Sequence, residues 1–161
     1  MARLASLAAG DVRTVVERFS ELLDAHRDVI NRLNVYPVPD GDTGTNMSLT
    51  VASVVRELHA LPEAATMAGV CKAVAHGSLM GARGNSGVIL SQLLRGMSTR
   101  LSAAPACGSA EVAEALVEAA ALARTAVVRP VEGTILTVAQ AAGEGAATSA
   151  AVGADLCSTL E

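Results

Sequence analysis

Apolar residues recur every three or four positions through almost the whole chain, which is the spacing of helices with one buried face. The clearest pattern runs over residues 12–33 and predicts a long amphipathic helix. The same spacing resumes at Met47 and predicts a second helix that ends near His59. Further helices are predicted at about 62–76, 88–97, 110–128 and from 134 onward, with another beginning near 154. No segment alternates with a period of two, so no strand is predicted.

Long helices joined by short loops are typical of an all-α, up-and-down antiparallel bundle or barrel. The loops rich in glycine, proline and polar residues lie near 34–46, 77–87 and 129–134, after the first, third and fifth predicted helices. In an alternating bundle, loops after odd-numbered helices lie at the same end. We therefore expect these three loops to meet at one rim, which becomes the candidate site.

Composition narrows the choice of function. The chain has 161 residues, of which 51% are hydrophobic and 1% aromatic, so alanine, valine and leucine must form the core. Its net charge of −4 and the lack of a basic patch argue against nucleic-acid binding. The odd number and wide spacing of Cys71, Cys107 and Cys157 predict free thiols and a reducing, cytoplasmic location. No signal peptide or membrane span is predicted.

Two carboxylates stand out in the first loop. Pro37 and Pro39 end the preceding helix, and Asp40 and Asp42 follow on either side of Gly41. Neighbouring carboxylates repel unless a positive charge lies between them, and Mg²⁺ is often held by one or two carboxylates plus phosphate oxygens. The alternative is a surface turn, in which aspartate and glycine are favoured for their backbone geometry alone.

Oxygen-bearing side chains flank this pair at Asn34, Thr43, Thr45 and Asn46. Thr43 and Asn46 are candidates to contact phosphate or metal-bound water. For Thr43, a role as a helix cap is an equally good interpretation.

The second loop is glycine-rich and leads into a helix N-terminus, where unpaired N–H groups and the helix dipole favour an anion. It lacks the Gly-Lys-Ser/Thr ending of a Walker A loop. Ser78 and Ser86 could add hydroxyl donors to a phosphate. The alternative is a close helix crossing that requires small residues, with Asn85 or Ser86 as a cap.

The third loop carries the weakest signal. Thr134 could cap the helix that follows or lie beside the base or ribose of a nucleotide, and Glu132 could be only a salt-bridge partner. His26 lies on an apolar helix face and is predicted to be in the core. No Ser/His/Asp or Cys/His set is indicated.

Residues 34–47, 77–92 and 129–137 together resemble the nucleotide-binding domain of bacterial fatty acid kinase, which is similar to the L subunit of dihydroxyacetone kinase. The resemblance implies an eight-helix antiparallel barrel with ATP or ADP and two Mg²⁺ ions at one rim. It implies that Asp40 and Asp42 are catalytic metal ligands, with Asn34 as a third ligand whose type and spacing depart from the pattern. The residues it implies for nucleotide and phosphate binding are Thr43, Thr45, Asn46, Ser78, Gly81, Asn85, Ser86 and Thr134.

The same resemblance implies phosphoryl transfer to a fatty acid carboxylate held by a separate fatty-acid-binding protein, which gives an acyl phosphate. Thr43 stands where many dihydroxyacetone kinases have histidine, which favours the fatty acid kinase branch. A dihydroxyacetone-type kinase subunit and a non-catalytic helical module that binds nucleotide or a partner remain as alternatives.

The sequence covers only about six to seven of the eight helices in that family. We therefore expect residues 1–161 to form one nucleotide-binding domain that is incomplete at its C-terminal end and inactive alone. A homodimer would form through domains that this chain lacks.

Overall fold

The computed structural model describes residues 4–161, and seven helices account for most of them. Their bounds are α1 (Ala9–Leu33), α2 (Thr43–His59), α3 (Met67–Gly81), α4 (Gly84–Leu101), α5 (Ser109–Thr125), α6 (Ile135–Ala151) and α7 (Leu156–Leu160). The predicted all-α bundle is confirmed. The prediction of no strands is wrong, because β1 (Leu7–Ala8) and β2 (Ala106–Cys107) pair antiparallel. Strands of two residues are too short to leave an alternating pattern in the sequence.

Consecutive long helices pack antiparallel. At one end of the α1–α2 pair, Arg13 donates a hydrogen bond of 3.0 Å to the carbonyl of Leu58. At the other end, the N–H of Thr45 donates to Oδ1 of Asn31 over 3.1 Å. The first turns of one helix therefore lie beside the last turns of the other.

The later helices continue this alternation. α4 and α5 meet where Gly96 contacts Ala119, and again where Arg100 pairs with Glu114. α6 then returns along α5, with Gly143 against the backbone of Val117. The loops after α1, α3 and α5 therefore lie at the same end, where α2, α4 and α6 begin. We call this end the rim, formed by residues 34–42, 82–83 and 126–134 and the first turns of those three helices.

Small residues allow the helices to approach closely. A methyl group on Gly96 would lie 2.6 Å from Cα of Ala119, and one on Gly44 would lie 2.3 Å from the carbonyl oxygen of Arg27. With so few aromatic side chains, close backbone contact of this kind replaces bulky side chains in filling the interior.

The core has two parts. One joins α1 to α4 and contains the buried residues Val16, Leu23, Val51, Val54, Leu58, Val70, Ala73, Val74 and Leu90. The other lies between α3, α5 and α7 and contains Met67, Cys71, Leu101, Cys107, Val112, Ala115 and Leu156. Together they hold the helices whose ends form the rim.

Two local expectations need correction. α3 begins at Met67 rather than near Pro62, because the hydroxyl of Thr66 accepts a hydrogen bond from the N–H of Gly69 and caps the helix there. His26 is exposed rather than in the core. The apolar residues of α1 cover a wider face than the neighbouring helices bury. Residues at the edge of that face, including Leu22, therefore remain exposed to solvent. Within residues 4–161, no helix has the length and apolar character needed to span a membrane.

Candidate functional site at the rim

Asp40 and Asp42 lie exposed on the loop between α1 and α2. Gly41 between them has a φ of +66°, which places the turn in the left-handed region that glycine tolerates. Among residues 4–161, neither carboxylate has a hydrogen-bonding or ion-pair partner. The loop thus carries two unneutralised charges two positions apart.

Asp42 occupies the N-cap position of α2 but does not cap it. Its backbone has a ψ of 0°, and its side chain makes no capping hydrogen bond. The N–H groups of Thr43 and Thr45 donate instead to Oδ1 of Asn34 and Oδ1 of Asn31, over 3.2 Å and 3.1 Å. Two asparagines at the end of α1 therefore accept from two of the N–H groups in the first turn of α2.

Asn34 also closes the loop on itself. Its Nδ2 donates to the carbonyl of Val38 over 2.8 Å, and its Oδ1 accepts from both the N–H and the hydroxyl of Thr43. Both lone pairs of this amide oxygen are thus engaged within the loop. Its role as a metal ligand stays a prediction.

The start of α4 lies directly against the start of α2. A methyl group on Gly84 would lie 2.2 Å from Nδ2 of Asn46, and the N–H of Arg83 donates to Oγ1 of Thr50 over 3.3 Å. No side chain caps α4, and within the described chain the first N–H groups of this helix, from residue 84 to 86, have no acceptor. This N-terminus has the open donors and dipole of an anion site.

Two of the predicted phosphate contacts lie inside the helix packing instead of on the rim surface. Ser78 is fully buried, and its hydroxyl donates to the carbonyl of Ala75 over 3.0 Å. A methyl group on Gly81 would lie 2.2 Å from Cβ of Ser53, so this glycine serves the close α2–α3 crossing. The phosphate-binding roles of Ser78 and Gly81 remain predictions, and neither residue is exposed at the rim in this structure.

The loop between α5 and α6 is held by Glu132. Its carboxylate accepts hydrogen bonds from Arg124 over 3.0 Å and from the hydroxyl of Thr137 over 2.9 Å. These bonds, the one from Thr137 first, lower the pKa of Glu132 below its ordinary value of 4.5. Thr134 caps α6 by accepting a hydrogen bond from the N–H of Leu136, as one of the two interpretations of this residue predicts.

Three residues that build the rim were not among the predicted site residues. Asn31 is an amide in the last turn of a long amphipathic helix, Thr50 is a fully buried hydroxyl, and Gly84 has a φ of +57°. Asn31 and Thr50 could have been found as polar residues on the inner faces of α1 and α2, because buried polar groups require hydrogen-bonding partners.

The rim is an open surface and not an enclosed pocket. A groove with a volume of about 590 Å³ runs along α5 and α6, where Ala113, Val117 and Ala147 line it. None of the predicted site residues contributes to it. No cluster of three or more His, Cys, Asp or Glu side chains occurs from residue 4 to 161. A cation at the rim would therefore need oxygen ligands beyond the two carboxylates.

Residues 37–161 match the sequence pattern of the DAK2 domain. This segment contains both aspartates, the first rim loop from residue 37 onward, the other two rim loops and helices α2 to α7. The chain belongs to the DAK2 domain family. DAK2 domains are dihydroxyacetone-kinase-like, so the chain is a domain of a kinase family.

The DAK2 domain also has close bacterial relatives. It is 44% identical over 144 residues to protein YloV of Bacillus subtilis, an alignment that covers 88% of this chain and 26% of that protein. It is 48% identical over 124 residues to an uncharacterized protein of Staphylococcus saprophyticus, covering 77% of this chain and 22% of the relative. The chain spans about a quarter of the length of these curated relatives.

Proposed function

We propose that this DAK2 domain binds ATP with Mg²⁺ at the rim and supports phosphoryl transfer to a fatty acid carboxylate. The product is an acyl phosphate, and a separate fatty-acid-binding protein presents the acceptor. The observation that carries this proposal is the pair of carboxylates, Asp40 and Asp42, on the loop that leads into α2, which have no partner among residues 4–161.

The donor set of the rim suits a magnesium ion bound to a nucleotide. Asp40 and Asp42 supply hard, charged oxygens, and Asn34 could supply a neutral one if it gave up a loop hydrogen bond. Without a cation, the two carboxylates would repel a triphosphate. When bound, Mg²⁺ (two ions in the family pattern) offsets the negative charge of the phosphate oxygens.

The helix starts supply the complementary donors. The open N–H groups at the beginning of α4 and the side chains of Asn85 and Ser86 are available to phosphate oxygens. Asn46 borders this position from α2, and Thr43 lies at the start of the same helix. Thr134, at the start of α6, would face the base or ribose side of the nucleotide.

A fatty acid carboxylate as phosphoryl acceptor is consistent with the absence of a candidate general base from the rim loops. None of its three loops contains a histidine, and a carboxylate acceptor is already ionised, so its attack requires no general base. Positioning and charge neutralisation are the main demands of phosphoryl transfer. Because the acids lie on an open surface, the acyl chain needs a second protein to hold it. The three free thiols support a cytoplasmic setting for this reaction.

Calorimetric titration of the chain with ATP, with and without Mg²⁺, tests the binding step. We expect magnesium-dependent heat that is lost in Asp40→Asn and in Asp42→Asn. Asp24→Asn is the matched control, since this exposed aspartate pairs with Arg27 on α1 and should bind as the parent does. Equal heats for all four proteins would refute the metal–nucleotide site.

Transfer itself is measured in a full-length protein that contains this domain, together with its acyl-carrying partner. We expect acyl phosphate, trapped as a hydroxamate, and no consumption of ATP with dihydroxyacetone as acceptor. Preference for dihydroxyacetone would support the alternative kinase, and the absence of transfer to either acceptor would support a nucleotide-binding module.

A further inference from the structure

We propose that Asn31 and Asn34 cap the first turn of α2 in place of Asp42, which keeps the carboxylate of Asp42 free for a cation. This inference rests on the proposed function for the identity of the cation. The capping relationship itself rests on the hydrogen bonds of the described residues.

Three other helices of the protein show what an N-cap side chain does when its backbone is extended. Asp155 begins α7 with a ψ of 167°, and its carboxylate accepts from the N–H of Ser158 over 2.8 Å. Thr66 and Thr134 also have extended backbones, and each caps its own helix. Asp42 is the exception among these four, with a ψ of 0° and no capping bond.

Asn31 is the residue that displaces Asp42 from this role. A capping aspartate accepts from the second or third N–H of its helix, and the third here belongs to Thr45. That N–H already donates to Oδ1 of Asn31 over 3.1 Å, while Nδ2 of Asn31 donates to Oγ1 of Thr45 over 2.9 Å. The two-point contact fixes the amide and occupies the third N–H, one of the two donors from which Asp42 could accept.

Close packing of the two helices makes this contact geometrically available. Gly44 lies against the backbone of α1, where a methyl group would come within 2.3 Å of the carbonyl oxygen of Arg27 and 3.0 Å of Oδ1 of Asn31. Only glycine permits this approach, which places the first turn of α2 within reach of a side chain from α1. Asn34 completes the arrangement by accepting from the N–H of Thr43.

The carboxylate of Asp42 could either cap α2 or bind a cation. If it capped α2, its charge would be engaged by a backbone N–H and by the helix dipole. Because asparagine is neutral, the substitute caps satisfy the same donors without adding a further negative charge beside Asp40. Asn31 is therefore a positioning residue for the cation, which it does not touch.

Thermal unfolding of the chain without metal or nucleotide tests the capping. Asp42→Ala should change the Tm by less than about 1 °C in the parent, where Asp42 does not cap. In the Asn31→Ala background the carboxylate can take over the cap, so adding Asp42→Ala should lower the Tm by a further 2–4 °C or so. Asp155→Ala, at a true capping aspartate, should give the same shift in both backgrounds.

Equal effects of Asp42→Ala in the two backgrounds would overturn the proposal. If Asn31→Ala does not fold, the same comparison can be made in Asn31→Leu, which keeps the volume of the side chain and removes the acceptor for the N–H of Thr45. Independence of Asp42 in that background would be equally decisive against it.

Titration with ADP and Mg²⁺ tests the consequence for the cation. We expect Asn31→Ala to weaken magnesium-dependent ADP binding by about fivefold, the factor that corresponds to freeing one capping carboxylate. Asn31→Asp keeps the acceptor for Thr45 and should restore most of the affinity. Unchanged binding in Asn31→Ala, with loss in Asp42→Ala, would overturn this inference and leave the proposed function intact. Unchanged binding in Asp42→Ala would instead refute the proposed metal site, whatever the thermal coupling shows.

Discussion

A methyl group on Gly84 would lie 2.2 Å from Nδ2 of Asn46, so the starts of α2 and α4 are in direct contact. Gly84 also has a φ of +57°, a conformation that side chains rarely adopt. Both constraints act at the same residue, and together they fix the second rim loop against the first.

Gly84→Ala should therefore destabilise the protein by about 2–4 kcal/mol, through backbone strain and the clash with Asn46. Urea unfolding followed by far-UV circular dichroism measures this loss. Adding Asn46→Ala should recover the part due to the clash and leave the part due to strain. Gly145→Ala is the control, because nothing lies within 4 Å of that position and alanine favours a helix by up to about 1 kcal/mol. Similar losses at both glycines would contradict this account.

Arg13 stabilises the opposite end of α2. Its two terminal nitrogens donate to the carbonyls of Leu58 over 3.0 Å and Pro62 over 2.7 Å, which ties the first turn of α1 to the end of α2 and the loop after it. Arg13→Met keeps the apolar stem and loses both bonds, so we expect a loss of about 2–3 kcal/mol in the free energy of unfolding. Arg13→Lys should recover only part of this loss, because a single ammonium group cannot reproduce both hydrogen bonds of the planar guanidinium.

Arg18→Met is the matched control for this effect. Arg18 lies on the same helix, is 74% exposed and pairs only locally with Glu21, so its loss should cost less than about 0.5 kcal/mol. Equal losses for the two variants would show that Arg13 contributes no more than a surface ion pair.

Glu132, in the third rim loop, should make the stability of the protein depend on pH. Its hydrogen bonds to Thr137 and Arg124 lower the pKa of the carboxyl in the folded state. The folded protein therefore binds this proton less tightly than the unfolded chain. The resulting stability is fully present above the ordinary pKa of 4.5 and is lost as the pH falls through the folded value.

Glu132→Gln should remove this dependence, so the Tm difference between parent and variant should shrink as the solution is acidified. Carboxyl resonances of the parent, followed by NMR, should show Glu132 titrating below 4.5. Titration at or above that value would be contrary evidence.

The three thiols should differ in reactivity. Cys71 and Cys107 are buried, whereas Cys157 is half-buried. Burial, and then the neighbouring Cys107, raise the pKa of Cys71 to about 11, and burial also raises the pKa of Cys107. A disulfide reagent at neutral pH should therefore modify one thiol quickly and the other two only after unfolding. Cys157→Ser should abolish the fast phase, and a second fast thiol in the parent would contradict the buried placement.

Helix periodicity revealed the main architecture because each long helix has one face in the core. The segments around Leu23, Val54 and Val70 were recognised in this way, and alternation then placed the three loops at one end. The start of α3 was misplaced because the hydroxyl of Thr66 sets it, a local hydrogen bond that periodicity does not register.

The rim chemistry was only partly accessible to sequence reasoning. Asp40 and Asp42 became candidates because they flank Gly41 in a proline-bearing loop, a pattern that a surface turn also explains. The role of Asn31 could not be predicted from the sequence, because it depends on the close approach of α2 to α1 at Gly44, which is a tertiary contact. For the same reason Ser78 looked like a phosphate donor, although packing places its hydroxyl in the interior.

The back-and-forth course of the helices restricts how this architecture can be altered. Deleting one helix would carry every subsequent connection to the far side of the bundle and separate the segment around Thr134 from the acidic loop. Shortened or extended forms can keep these segments together only by losing or gaining helices in pairs. Engineered internal deletions should therefore remove an even number of helices.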